Sequence, residues 1–552
     1  MTIHNAPKRG AHIPALSWGA NLPAPGAGNL AEVALRAAET GTGGIVVMHG
    51  PEHETELSYE ELVASASRVL GGARAAGAAR GDKVVITAAD AREQLTAFWA
   101  CMLGGMIPLP LGTGGRDPAD LDHLWSPSDR VWLIGPETGT ESQHAHLLGA
   151  VSELASAAPD HVYTPGTWDD LAVLLLAPPA GERPRAVALS HGNLVSRTVA
   201  TIGANRLRTD DRTFNWGPLD QAGGLVMSHL RDVYLRCLQV HAPARWILGD
   251  PLRWIEQMHR RGTTVSWAPN FAFELVNDSA SRISDRRWDL RALRRVMNGG
   301  EGLRPEVLRR FARLLEPHGL GGDVIVAGWG RAETASTVVD WRPDLDQARA
   351  HRFVAAGEPY ASVGVRIVNH FDEVLPEGES GLLEVTGEPV SAGYYGDPEA
   401  TRRSYSTDGW LRTGEIAFLH RGRLTVTGRD GDIVIVDGTA HDGGEIERAV
   451  EAAAPVEPGH TVACAVDGAD GPGLAVFYIP EGIGDAALAE KEIREAVAHS
   501  HGLRLAHAVR LRRADFPETS LPRLKRMLLA QRFEAGAFDR TDAGAEPAGA
   551  VH

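Results

Sequence analysis

The chain has 552 residues, 43% of them hydrophobic and 23% charged, with a formal net charge of −16, enough for one large domain and at least one smaller one. That acidic balance excludes nonspecific binding to nucleic acid or to an anionic membrane surface. No apolar run is long enough to span a bilayer, no signal-peptide-like stretch follows residues 1–9, and Cys101, Cys237 and Cys464 are too scattered for a disulfide framework or a zinc site, so a cytoplasmic protein is expected.

Residues 1–28, rich in Pro, Gly and Ala, predict a loose lead-in. Residues 58–81 read as an amphipathic helix capped by Ser58, with Glu60 and Glu61 in its first turn. A short buried strand follows at 84–87, a helix at 94–102, then strands at 107–111, 130–134 and 171–176. Alternation of this kind predicts an α/β architecture. From about residue 363 the texture changes to short strands (365–368, 381–385, 423–427) separated by Gly and Asp turns, which predicts a β-rich subdomain. Beyond 428–432, a strand at 433–436, a helix at 444–453 and a strand at 474–478 form a compact α+β unit. The expected organisation is a large N-terminal domain over 1–428, made of mixed sheets and helices plus the β-rich subdomain. A small α+β C-terminal domain follows over 429–540, and an Ala/Gly/Asp-rich disordered tail over 541–552.

Five segments stand out in the order in which they occur. They are Trp267-Ala268-Pro269-Asn270-Phe271-Ala272-Phe273-Glu274-Leu275; Asn298-Gly299-Gly300-Glu301; Trp329-Gly330-Arg331-Ala332-Glu333-Thr334; Asp408-Gly409-Trp410-Leu411-Arg412-Thr413-Gly414-Glu415; and Gly428-Arg429. Taken together they resemble the acyl-adenylate-forming superfamily: acyl-CoA synthetases, fatty-acyl-AMP ligases and the adenylation domains of nonribosomal peptide synthetases. The acid-activating ligases and loading domains of polyketide and peptide assembly lines are the nearest likeness, over roughly residues 28–540.

The resemblance implies an acyl pocket at Trp267, Asn270, Phe271, Phe273 and Gln221, and an adenine-holding turn at Asn298, Gly299, Gly300 and Glu301. It implies that Trp329 stacks on adenine beside Gly330, that Glu333 helps bind Mg²⁺, that Thr334 contacts the nucleotide phosphate, and that Glu415 meets the ribose. Arg429 then marks a hinge on which the small domain swings. ATP or AMP with Mg²⁺ are the implied cofactors. A small acyl substrate and the phosphopantetheine arm of an acyl or peptidyl carrier protein are the implied partners. Plainer readings stand beside these: Gly299, Gly300 and Gly330 as turn glycines, Glu333 as a solvated loop carboxylate, and Trp267 and Phe271 as core. Ser190-His191 matches a structural pair that follows the phosphate loop, and His229 and His241 read as core or surface histidines rather than ligands.

The chain departs from the family where ATP would be gripped. A phosphate loop needs glycines and hydroxyl donors. Here it reads Ala177-Pro178-Pro179-Ala180-Gly181-Glu182-Arg183-Pro184-Arg185: no hydroxyl, prolines that remove backbone donors, and a repelling carboxylate at Glu182. Arg523 falls at the position of the catalytic lysine, with Lys525 reachable by a two-residue register shift, and arginine is not equivalent to lysine there. Glu415 stands for an aspartate, Gln221 for a histidine and Gly431 for a charged hinge residue. One lost phosphate or oxyanion contact costs about 3–4 kcal/mol of transition-state stabilisation. Two, if additive, remove roughly five powers of ten in rate, an upper bound for groups in one site.

Three readings follow. The first is acyl transfer or condensation on a carrier-bound or otherwise activated acyl group, with ATP-dependent adenylation weak or lost. The second is an atypical acid–AMP ligase using Arg523. The third is a non-catalytic binder of acyl groups or carriers.

Overall fold

The computed structural model describes residues 12–40, 43–51, 53–88, 90–112, 117–136, 142–177, 183–299, 305–345, 353–429, 433–436, 439–468, 471–482, 486–517 and 522–538. The chain divides into two compact units. One comprises Met1–Thr413 with Ala417–Thr427, the other Gly414–Ile416 with Gly428–His552. The tail expected at 541–552 and the hinge glycine Gly431 lie outside the described residues.

The first unit is built on a nine-stranded sheet whose middle six strands run parallel. Across the sheet these are Ile325–Arg331, Arg295–Gly299, Val265–Pro269, Arg212–Asn215, Leu238–His241 and Gly44–Met48. Burial on both faces explains why Gly44–Met48 is a continuous apolar run, and it leaves the polar residues of the other strands, among them Asn215, Gln239 and His241, buried as well. Ser336–Trp341 and Glu54–Ser58 add antiparallel strands at either side. A second, four-stranded parallel sheet runs in the order Ile107–Pro110, Lys83–Ile86, Val131–Ile134, Ala145–Gly149. The mixed α/β architecture expected from the sequence is what the chain adopts.

Local chemistry sets the element boundaries. Ser58 caps the helix Tyr59–Ala75 through a reciprocal capping box with Glu61. That helix stops six residues short of the expected residue 81, because Gly77 turns into the left-handed region at φ 103°. The helix Ala91–Gly104 is capped by Asp90 and is buried on all sides from Gln94 onward. The lead-in is not wholly loose: Leu16–Trp18 pairs antiparallel with Val363–Val368, which also pairs with Gly381–Gly387. Leu171–Ala177 and Arg185–Ser190 form a separate antiparallel hairpin, closed by the pair Ala177 and Arg185.

In the second unit, the strands Val456–Gly468, Gly471–Pro480 and Leu505–Arg510 form a sheet. The helices Gly443–Ala453, Ala486–His501 and Pro522–Glu534 belong to the same unit, with Ile446, Val476, Phe477, Ile493 and Leu529 in its core. Among the described residues no helix is long and apolar enough to cross a membrane, and no group of three or more His, Cys, Asp or Glu is placed to hold a metal ion.

Candidate active site

The six parallel strands end along one edge of the sheet, and the residues singled out from sequence follow those ends. Asn270 follows Val265–Pro269; Asn298 and Gly299 close Arg295–Gly299; Glu333 and Thr334 follow Ile325–Arg331; Trp216 to Gln221 follow Arg212–Asn215. Carboxyl ends of parallel strands are where open α/β sheets bind ligands, since the chain there turns out of the sheet and leaves a crevice.

At one end of this edge is a cavity of about 520 Å³ lined by Gln94, Trp216, Asp220, Gln221, His241 and Arg245. Gln221 is exposed at its rim. Asp220 accepts a hydrogen bond from the Gly112 N–H at 2.8 Å, while its Oδ1 is buried with no partner among the described residues. Burial raises the pKa of this carboxyl.

The cavity wall is fixed from behind by a chain of neutral polar groups. Trp99 donates to His229 Nε2 at 2.8 Å, so His229 must donate from Nδ1 to Gln239 Oε1, also 2.8 Å away. His241 donates from Nε2 to the same oxygen at 2.7 Å and accepts from Asn215 Nδ2 at 3.1 Å. Asn215 Oδ1 in turn accepts from the Trp267 indole at 3.0 Å. Burial holds His229 at about 4 and His241 well below the usual histidine range, as a network of neutral rings requires. Both histidines are therefore core groups. His191 is too: it is buried, accepts from the Leu30 N–H at 3.2 Å, and burial lowers its pKa to about 4. Ser190 caps the helix His191–Asn205.

The expected acyl-pocket residues divide. Trp267 is half-buried, and Gly217 and Gly223 lie so close to its ring that a Cβ on either would sit 2.5 Å from it. Asn270 accepts from Asn298 Nδ2 at 3.1 Å, which joins the acyl and adenine segments directly. Phe271 is 43% exposed. Phe273 is a correction: it is fully buried between Trp254 and Phe311, with ring centroids 5.5 and 4.6 Å away, and belongs to the core.

The nucleotide segments divide as well. Trp329 is only 3% exposed and packs in the core with Val338, Val339 and Tyr360, so its ring is not presented for stacking. Gly330 is a steric necessity, since a Cβ there would lie 2.1 Å from the Ser336 carbonyl oxygen. The Thr334 hydroxyl is tied into its own turn, accepting from Arg331 N–H at 2.8 Å and donating to Ser336 O at 2.7 Å. Ala335 and Ser336 follow at φ 50° and 96°, a strained and buried pair just after this turn. Gly300 and Glu301 lie outside the described residues, as do Pro178, Pro179, Gly181 and Glu182 of the phosphate loop. Ala177 and Arg185 flank that loop in register. In the second unit, Glu415 is a residue of the strand Leu411–His420, Arg429 ends Arg423–Arg429, and Arg523 is on Pro522–Glu534 with its side chain outside the described residues. Lys525 lies with its ammonium 4.9 Å from the Phe516 ring centroid.

Glu333 is 2% exposed, and both of its oxygens are engaged. Tyr394 donates to Oε1 at 2.7 Å, and the Arg331 guanidinium reaches Oε2 at 3.3 Å. Burial opposes ionisation, but Arg331 and Tyr394 more than offset it, and the carboxyl is held below its usual range. The plain reading of a solvated loop carboxylate is thus excluded. A buried carboxylate with both oxygens committed is also a poor fit for Mg²⁺, which keeps several waters when bound. Arg331 and Tyr394 were not singled out from sequence. Arg331 lies within the quoted motif, and Tyr394 lies between two turn glycines, Gly393 and Gly396, at φ 139° and 69°.

The AMP-binding enzyme family profile matches residues 35–395. The chain belongs to this family. Among curated members, aspulvinone E synthetase melA of Aspergillus terreus is 27% identical over 537 residues, covering 92% of this chain and 58% of that protein. Atromentin synthetase invA5 of Paxillus involutus is 29% identical, covering 74% of this chain and 45% of that protein. Inactive atromentin synthetase invA3 of the same fungus is 28% identical, covering 72% and 44%. The chain thus spans about half the length of these AMP-binding relatives. The adenylation domain of a keto acid-selecting nonribosomal peptide synthetase module, bound to keto acyl adenylate, superposes with a TM-score of 0.75 at 32% identity, over 90% of this chain and all of that one. McyG A-PCP complexed with phenylalanyl-adenylate gives a TM-score of 0.81 at 28% identity, over 95% of this chain and 85% of that one.

Proposed function

We propose that this AMP-binding family member is an acyltransferase of polyketide or nonribosomal-peptide secondary metabolism that takes an acyl group already activated, as a carrier thioester or an acyl adenylate. The observation that carries this reading is the engagement of Glu333 by Tyr394 and Arg331. It adds to the loss of hydroxyls from the phosphate loop. In transfer from a carrier, an acceptor thiol or amine adds to the thioester carbonyl, the carbon–sulfur bond breaks, and the departing pantetheine thiolate takes up the proton that the acceptor gives up. That step needs no grip on β- and γ-phosphates. The small acyl substrate is assigned to the crevice between Trp267, Asn270 and Gln221, and swinging of the second unit would admit the pantetheine arm. A cytoplasmic setting follows from the carrier partner.

A second reading, the atypical acid–AMP ligase, is favoured by one feature. Asn298 Oδ1 is buried without a partner among the described residues, an acceptor suited to the exocyclic amino group of adenine. The test is incubation of the protein with carrier proteins loaded with a panel of acyl groups, without ATP, and with thiol and amine acceptors, read by mass spectrometry of the carrier. Loss of acyl mass supports transfer. Acceptor-dependent AMP and pyrophosphate release from ATP, abolished by Arg523→Ala, moves the assignment to the ligase. Neither signal leaves the non-catalytic binder; one of the Paxillus relatives is named as inactive.

A further inference from the structure

The Arg331 guanidinium does more than neutralise Glu333. It also donates from Nη1 to the main-chain oxygen of Thr413, in the segment that precedes Gly414 and Glu415. Arg331 therefore spans the carboxylate that the resemblance assigned to magnesium and the segment that it assigned to ribose, with about a third of its side chain exposed. Tyr394 donates to Oε1 of the same carboxylate and carries Arg185 over its ring at 5.6 Å. A guanidinium on a short covalent tether is a permanent cation with directional donors, and it holds the place beside Glu333 that a hydrated ion would need.

We propose that Arg331 is the cation of this site. It binds the phosphate of an adenylate directly, and divalent metal has no part in that binding. A divalent ion paired with Glu333 would leave a net positive charge, enough to hold a polyanionic triphosphate. Arg331 supplies directional N–H donors in place of that surplus charge, so a phosphate of low charge is held, through hydrogen bonds rather than through a strong field. The preferred ligand class is an acyl adenylate or AMP over ATP. This deepens the proposed function and rests on its premise that the crevice accepts an adenylate.

Two measurements separate the proposal from that premise. In the first, AMP is titrated calorimetrically into the full chain, with magnesium and then with EDTA. The expected result is the same affinity in both, with Arg331→Met weakening the EDTA value about tenfold or more, and Arg331→Lys less. AMP binding that needs magnesium overturns the proposal and leaves the premise standing; no AMP binding in either condition overturns both. The second measurement requires no nucleotide: manganese is titrated into the wild-type chain and followed by the electron paramagnetic resonance of the free ion. Absence of uptake is expected. Stoichiometric uptake that Glu333→Gln abolishes overturns the proposal, whatever the behaviour of the arginine variants.

Discussion

The Tyr394 hydroxyl lies 2.7 Å from Glu333 Oε1 across a sequence separation of 61 residues, and this hydrogen bond fixes a buried carboxylate just beyond the carboxyl end of the strand Ile325–Arg331. The same ring supports Arg185, whose Nε is 3.7 Å from Asp397. One aromatic side chain thus couples the strand after the phosphate loop to the acidic motif.

Tyr394→Phe removes the hydrogen bond to Glu333 and keeps the ring beneath Arg185. It should lower stability by about 1–3 kcal/mol, the usual effect of taking a donor from a buried charged group. Tyr394→Leu should lose about a further 0.5–1 kcal/mol through the cation–π contact. Denaturant midpoints of the two variants measure the order.

Gln239→Leu deprives His229 Nδ1 and His241 Nε2 of their shared acceptor, and Tyr59 of a donor at 2.8 Å. Two buried N–H groups left without partners should cost about 3 kcal/mol or more. Thermal unfolding of the variant tests this, and an unchanged midpoint would show that the network has another acceptor.

Acid should weaken the fold in a window set by the histidines. His191 and His229 are held at about 4 against an ordinary 6.5, so the unfolded chain binds more protons between those values. Stability is therefore complete above 6.5 and falls progressively toward 4, by on the order of 3 kcal/mol for His229 alone. Glu333, held below its usual 4.5, contributes only to a later loss at lower pH. Urea midpoints between about pH 7 and about pH 4.5 should show the decline; a flat profile would exclude the neutral network.

Gly223→Ala places a methyl 2.5 Å from the Trp267 ring. Overpacking of about 1–3 kcal/mol is expected, together with rotation of the indole away from Asn215. In fluorotryptophan-labelled protein the Trp267 resonance should move, while that of Trp288, which packs in a different core cluster, should not.

The sequence told most where the signal was local. The Ser58 cap, the buried strands and the order of the family motifs all needed only neighbours along the chain. The Phe271/Phe273 pair shows where that ends. Both looked like pocket residues, but they lie on the helix Asn270–Asp278, and two residues of helix turn through about 200°. One faces out and the other joins the core. Trp329 failed in the same way, since it is buried in a cluster with residues as remote in the chain as Ala15 and Val426. Arg331 was visible as a residue, but its meaning required Thr413 and Tyr394, which only the folded chain brings to it.

The hairpin that carries the phosphate loop has an evolutionary corollary. Its strands are held in register from Ala177 and Arg185 inward by their own ladder, and the Gly393 and Tyr395 backbones bond to Ala188 and Ala186 on the same side. Every ladder pair among the described residues lies between Leu171–Ala177 and Arg185–Ser190, so the register of the hairpin does not depend on the loop's glycines and hydroxyls, and drift could erase them without penalty to it. Selection on a lineage released from ATP would have no folding reason to defend that composition, and the intact register of the flanking strands makes the loop the natural place to graft back a working sequence.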